Sequence, residues 1–216
     1  MKPKITLFTL ACGIILTSCD GEQTTQAPVV TAPESAQDSA PKMIVDTFKV
    51  ETGASEVKWS GSKAIGKGHS GFIRLKEGWV GFSEGKLVSG DFTIDMTSIV
   101  NLDLKDEKDK TKLVDHLKSK DFFNVDSFPT AHFVITAATD STVTGNLTLK
   151  TATLPLTFSY KIPVMEKSFL VIQSKKFSID RTKWGIVYNT ATIVNIAKDH
   201  IIADLMELEV SVNAEK

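Results

Sequence analysis

The sequence TVTGNLTLKTATLPLTFSYKI, residues 142–162, contains two runs in which apolar and polar side chains alternate. In the second run, Leu154, Leu156 and Phe158 alternate with threonine, proline and serine. Successive side chains of a β-strand point to opposite faces, so a period of two is typical of strands with one buried and one solvated face. The stretch therefore predicts two consecutive strands of a mainly β domain.

The same alternation recurs from Asp46 to the C-terminus. Near the end of the chain, Met206, Leu208, Val210 and Val212 share one parity. By the same pattern we predict further strands near 47–51, 55–64, 70–82, 86–96, 131–138 and 169–180. Eight or more short antiparallel strands indicate a barrel or a sandwich.

One segment departs from this alternation. The charge run KDEKDKTK at 105–112 predicts a solvated polar loop. Leu113, Val114 and Leu117 follow at helical spacing and predict a short helix that covers one end of the barrel. The next aromatic pair, Phe122 and Phe123, has two open interpretations: a hydrophobic plug for the helix, or a gate at the mouth of a cavity.

The amino terminus has the three parts of an export signal. Lys2 and Lys4 precede an almost unbroken apolar run over residues 5–16, which is too short to span a bilayer. The run closes on LTSC at 16–19, which resembles the lipobox of bacterial lipoproteins. The resemblance implies cleavage before Cys19 and a lipid anchor on its thiol. The alternative is an ordinary signal peptide in which Cys19 is incidental.

We therefore expect three segments: a signal peptide over 1–18, a lipidated cysteine with a flexible tether over 19–45, and a β domain over 46–216. The tether has no aromatic residue and three prolines, so it lacks the apolar area that would offset its ordering entropy. The expected location is the bacterial cell envelope. The domain would be anchored to a membrane and would lie in the periplasm or at the cell surface.

Composition excludes several classes of function. A formal net charge of −1 provides no basic footprint for nucleic acid. Cys12 leaves with the signal and Cys19 is acylated, which excludes disulfides, thiolate catalysis and cysteine-ligated metals. No G-x-S-x-G elbow occurs, so we expect neither a cofactor nor an enzyme. We also expect no metal centre, because short metal-ligand spacing is missing among His69, His116, His132 and His200.

The sequence GKGHSG at 66–71 matches the dinucleotide pattern G-x-G-x-x-G. That motif requires a following helix, whose N-terminus binds the pyrophosphate. The residues that follow, Phe72 to Leu75, are strand-like, so we reject the match.

Seven short phrases occur in order between about Asp46 and Asn213: VKWSG (57–61), GHSG (68–71), GDFTIDM (90–96), HLKS with DFF (116–123), PTAHF (129–133), GNLTL (145–149) and DR with WG (180–185). The ordered set resembles the YceI-like family of lipocalin-like, polyisoprenoid-binding exported proteins, here in a lipoprotein version. The resemblance implies an eight-stranded antiparallel lipocalin-like barrel with one short helix in a long loop.

The resemblance also implies a ligand, an isoprenoid or another long-chain lipid, inside the barrel. Barrels of eight strands can hold one small ligand, and each buried methylene contributes about 0.8 kcal/mol. The candidate lining residues are Trp59, Phe92, Phe133, Leu147, Phe158 and Phe177, with His69 facing the cavity. The alternative is that these side chains fill a closed core.

The polar head of such a ligand would lie at the mouth. Asp180, Arg181 and Trp184 are the candidate head-group residues, through charge and stacking. A structural salt bridge and turn is the alternative for the same three residues.

The sequence therefore favours binding of an apolar lipid for carriage, storage or protection in the envelope. Two rivals stay open. One is a structural or interaction protein, a filled barrel whose outer surface or edge strand binds an envelope partner. The other is an enzyme acting on a lipid or quinone, which would need titratable groups converging in the cavity. Independently of either rival, an unpaired strand edge would allow a homodimer.

Overall fold

The computed structural model describes residues 44–161, 163–192 and 197–216. The expected signal peptide, Cys19, Ile162 and all but the last two residues of the tether lie outside the described residues. Within the described ranges, no helix combines the length and apolar character needed to cross a membrane.

The fold is mainly β, as predicted, and every strand pairing is antiparallel. One helix, α1, covers Glu107–Lys118, and two 3₁₀ turns cover Met96–Ser98 and Arg181–Trp184. The strands are β1 (Asp46–Val50), β2 (Glu56–Ser62), β3 (Gly68–Ser83), β4 (Lys86–Asp95), β5 (Val100–Asn101), β6 (Thr130–Ala138), β7 (Thr142–Leu149), β8 (Ala152–Ser159), β9 (Val164–Glu166), β10 (Phe169–Gln173), β11 (Phe177–Asp180) and β12 (Leu205–Glu215).

The strands form a barrel with eight positions. Going round it, the order is β8, β7, β6, β4, β3, a position shared by β1 and β2, then β12, and a position shared by β10 and β11. The predicted count of eight strands is wrong, because the described chain has twelve. Two positions each consist of two shorter strands, and β5 and β9 add to the sheet. The single strand predicted over 169–180 is one such divided position.

A buried serine joins each divided position to β12. At the break between β1 and β2, the backbone N–H of Asn213 donates to Ser55 Oγ at 3.0 Å, and Ser55 Oγ donates back to the Asn213 carbonyl at 3.1 Å. At the break between β10 and β11, the backbone N–H of Val210 donates to Ser174 Oγ at 2.7 Å. Each hydroxyl accepts where a continuous strand would offer a carbonyl, so the N–H groups of β12 stay paired.

The barrel closes along a seam between β8 and the position of β10 and β11. One end of the seam is held by backbone hydrogen bonds, from Lys161 N–H to the Gln173 carbonyl and from Lys175 N–H to the Ser159 carbonyl, both 2.8 Å. Within the described residues, β8 and β11 form no ladder. Side chains close that part of the wall instead.

Helix α1 corrects the expectation of a loop over 105–112, because the helix already begins at Glu107. Asp106 caps it, accepting hydrogen bonds from the backbone N–H groups of Lys108 and Asp109 at 2.9 and 3.0 Å. Acidic side chains in the first turn also interact favourably with the helix dipole. The charge run is therefore the solvated first half of an amphipathic helix.

We expect Ser55→Ala and Ser174→Ala each to lower the free energy of unfolding by about 1–3 kcal/mol, because a buried backbone N–H of β12 loses its acceptor. Urea denaturation measures the loss. Ser178→Ala, at an exposed position on β11, is the matched control and should change stability by less than about 0.5 kcal/mol. Equal stability of all three variants would show that the serines do not join the divided positions.

Candidate functional site

The barrel encloses an inner chamber of about 140 Å³. Its wall is almost entirely hydrocarbon and aromatic; among the described lining residues, Trp59, Tyr160 and Ser174 are the ones whose side chains carry a nitrogen or oxygen atom. The alternation recognised in the sequence places these side chains there, because every second residue of each strand points inward. The sequence-predicted residues that line the chamber are Trp59, Phe92, Phe123, Phe133, Leu147, Phe158 and Phe177.

Four of these aromatic side chains form a continuous row. Phe92 stacks with Phe133 at a centroid distance of 6.5 Å, and Phe133 contacts Phe158 at 5.6 Å. Phe158 then stacks on Phe177 at 4.4 Å with an interplanar angle of 9°. This last pair spans the seam, so aromatic packing closes the wall where the backbone ladder is missing.

A second cavity, the vestibule, has a volume of about 300 Å³. Trp59, Phe123 and Met206 line both cavities, so they form the boundary between them. The indole Nε1 of Trp59 is buried and has no hydrogen-bond partner among the described residues. The other residues of the vestibule are Gly61, Ser62, Lys63, Lys67, His69, Leu113, His116, Leu117, Phe122, Arg181, Tyr188, Asn189, His200, Ile202 and Ala203.

The predicted aromatic pair lies between helix α1 and the barrel. Phe122 and Phe123 are both buried and contact each other edge to face at 5.7 Å. His116 of α1 packs against Phe122 at 5.7 Å and against Tyr188 at 4.6 Å. The pair therefore anchors the helix, and Phe123 also forms part of the boundary to the chamber.

Arg181 lies in the wall of the vestibule with its side chain fully buried. Its guanidinium donates to the carbonyls of Ile186 at 2.7 Å, Ile202 at 3.0 Å and Ala203 at 3.1 Å, and pairs with Asp204 at 3.4 Å. Burial lowers the pKa of Arg181, but a guanidinium stays protonated in proteins. Through these bonds, the Arg181 side chain joins its own 3₁₀ turn to Ile186 and to the segment 202–204.

The other two predicted head-group residues have internal partners as well. Asp180 caps the 3₁₀ turn, and hydrogen bonds from the hydroxyl and backbone N–H of Thr182 hold the pKa of Asp180 below its usual value. Trp184 is buried, and its Nε1 donates to the Leu147 carbonyl at 3.2 Å. The geometry of all three residues matches the structural alternative, and their head-group role stays a prediction.

His69 lines the vestibule, and its Nδ1 lies 2.9 Å from the Asp103 carboxylate. Burial opposes the ionisation of Asp103, but hydrogen bonds from the Ser70 N–H, His69 and the Asn101 amide outweigh it and lower its pKa. The Asp103 carboxylate therefore stays ionised and fixes the orientation of the imidazole at the rim.

Sequence reasoning missed the lysines of the vestibule. Lys63 and Lys67 lie in the connection between β2 and β3 and are exposed. A loop lysine is most often solvated, so neither Lys63 nor Lys67 carries a sequence signal. The hairpin of β2 and β3 packs beside the 200–203 segment, and this packing brings the two lysines to the vestibule.

A family model described as the YceI-like domain matches residues 48–214, nearly the whole described barrel. The chain belongs to the YceI-like family. No curated protein matches it. The sequence-based recognition of the family is therefore confirmed, whereas its lipoprotein version stays a prediction.

Two solved structures are similar to this YceI-like barrel. BcnA of Burkholderia cenocepacia is 22% identical with a TM-score of 0.60, covering 76% of this chain and 99% of that one. A polyisoprenoid binding domain from Saccharophagus degradans is 13% identical with a TM-score of 0.54, covering 78% and 97%. At these identities the likeness shows a shared fold.

We expect Arg181→Met to lower the free energy of unfolding by about 3–5 kcal/mol, because Asp204 and three carbonyls lose a buried donor. Lys183→Met, in the same 3₁₀ turn but exposed, is the control and should be nearly neutral. Chemical denaturation measures both. If Arg181→Met kept full stability and lost only ligand affinity, Arg181 would be a head-group residue and not a structural one.

Proposed function

We propose that this YceI-like protein binds a long-chain apolar lipid of the isoprenoid type inside its barrel. The observation that carries the proposal is the inner chamber, whose wall is almost entirely hydrocarbon and aromatic. A site of this kind binds a hydrocarbon chain by removing it from water, at about 0.8 kcal/mol per methylene, and needs few polar contacts. The Saccharophagus degradans domain, which has the same fold, is described as polyisoprenoid binding, and we extend that ligand class to this chain.

The size of the cavity suggests how the ligand lies. An apolar cavity of about 150 Å³ holds a molecule such as benzene, so the inner chamber accepts only the end of a chain in its present shape. The vestibule adds about 300 Å³, and the two together fall within the range of about 300–1,000 Å³ typical of ligand sites. The chain would therefore run past Trp59, Phe123 and Met206, with its polar end in the vestibule.

The proposal places the protein in the bacterial cell envelope, where it carries, stores or protects the lipid. This location rests on the amino-terminal sequence: the export signal before Cys19 and the tether that follows. An acyl anchor would keep the barrel near the membrane in which such ligands dissolve. Removing the thiol by Cys19→Ser should release the protein from the membrane fraction of the native host.

The enzyme alternative depends on the histidines of the vestibule. In the described part of the chain, no serine or threonine hydroxyl hydrogen-bonds the imidazole ring of His69, His116 or His200, and the Ser119 hydroxyl donates only to the backbone carbonyl of His116. A lipid-modifying enzyme needs a nucleophile or an activated water beside its base. The carboxylates of Asp103, Asp121 and Asp199 lie 2.9, 4.0 and 3.7 Å from the imidazoles of His69, His116 and His200. The hydrocarbon wall of the inner chamber supports binding more directly than these pairs support catalysis.

Native mass spectrometry and solvent extraction of the purified protein test the proposal directly. The expected result is a copurifying lipid with a long apolar chain. A protein that carries no lipid, and takes up no farnesol after purification, would instead be the filled barrel of the structural alternative.

A larger side chain should block the site. Leu156 lines the chamber, and Leu156→Trp should reduce the bound lipid per protein about tenfold by filling the volume that the chain occupies. Thr157→Trp, at the neighbouring exposed position, is the control and should retain the lipid. Extraction quantifies the lipid, and the thermal midpoint confirms that both variants are folded.

A further inference from the structure

The vestibule has a one-sided distribution of charge. Its basic side chains are those of Lys63, Lys67, His69, His116, Arg181 and His200. Among the described residues, no carboxylate lines it. A concave site with one sign of charge attracts ligands of the opposite sign.

Most of these groups already have partners. The Arg181 guanidinium is used by carbonyls and Asp204, and each of the three histidines has a carboxylate within 4.0 Å. Lys63 and Lys67 differ, because neither forms an ion pair or a side-chain hydrogen bond with any residue that the structure describes. They supply the positive charge that is available to a ligand.

The backbone holds the two lysines at the vestibule. Lys63 pairs with Ile202 in an antiparallel bridge, and the neighbouring N–H of Ala64 donates to the Ile201 carbonyl at 2.8 Å. Lys67 directly precedes β3. The hairpin is therefore tied to the 200–203 segment on the other side of the opening.

The vestibule borders the apolar chamber at Trp59, Phe123 and Met206, which line both cavities. A ligand whose chain lay in the chamber would therefore present its polar end to the vestibule, beside the two ammonium groups.

We propose that the vestibule binds an anionic oxygen head group, of the phosphate-ester type, on the apolar chain that enters the chamber, and that Lys63 and Lys67 are its specificity-determining residues. The inference rests on the proposed function. Lysine acts here as a point charge for phosphate, which does not require the planar geometry of arginine.

Isothermal titration calorimetry on the full chain, stripped of copurifying lipid, tests this with three probes: farnesyl phosphate, farnesol and inorganic phosphate. The protein should bind farnesyl phosphate about tenfold more tightly than farnesol, which corresponds to about 1.4 kcal/mol from two exposed charges. Inorganic phosphate alone should bind far more weakly than farnesyl phosphate, because it lacks the chain.

The double variant Lys63→Met/Lys67→Met keeps the apolar stems and removes the charges. Its preference for farnesyl phosphate over farnesol should fall to about twofold or less, whereas Lys63→Arg/Lys67→Arg should keep the preference. Lys49→Met is the matched control, because Lys49 is exposed beside Trp79, near the far end of β3.

The outcomes separate the two proposals. If farnesol binds but the phosphate adds no affinity, or if the preference survives in the methionine double variant, the head-group assignment is overturned and the lipid-binding function stands. If inorganic phosphate binds as tightly as farnesyl phosphate, the site is an anion site independent of a lipid. If neither farnesyl compound binds, both proposals fall.

Discussion

The barrel depends on the hydrogen bonding of one strand, β12. It pairs with β1 and β2 on one side and with β10 and β11 on the other. Both divided positions are joined to it, through Ser55 and Ser174, so the hydrogen-bond ladder that runs from β3 round to the seam passes through this strand. The inward side chains of β12, from Met206 to Val212, also line the chamber. The same strand therefore holds the two divided positions together and supplies part of the chamber wall.

Much of the fold and of the chamber could be predicted from the sequence, because apolar side chains at every second position of a strand share one face, and that face is buried. Trp59, Phe92 and Phe158 were found in this way, and the structure places them in the chamber wall. The division between β1 and β2 was predicted, as separate strands near 47–51 and 55–64, whereas the division between β10 and β11 was not. Ser55 and Ser174 read as ordinary polar residues, and only the position of β12 beside them makes each a hydrogen-bond acceptor.

The polar part of the site was harder to predict for a different reason. Asp180 and Arg181 are adjacent in the sequence and suggest a head-group site or a local salt bridge, but the acceptors of Arg181 come from residues as distant as Ile202 and Ala203. The hairpin lysines carry no local signal at all. The free energy of burying a hydrocarbon depends mainly on the apolar area removed from water, so the chamber would favour longer chains and discriminate little between different chains of similar length. Discrimination must come from the few groups outside it, which are set by tertiary packing.

The seam between β8 and β11 has a consequence for the volume of the barrel. Elsewhere in the wall, widening the barrel would break ladder hydrogen bonds between neighbouring strands. Along this seam, the stacked rings of Phe158 and Phe177 are the closing contact, and the backbone bonds are confined to one end near Tyr160 and Ser174. Side chains can separate and re-pack without leaving backbone groups unpaired. Widening the barrel along this part of the seam would therefore cost the stacking of Phe158 on Phe177 before it broke a backbone ladder.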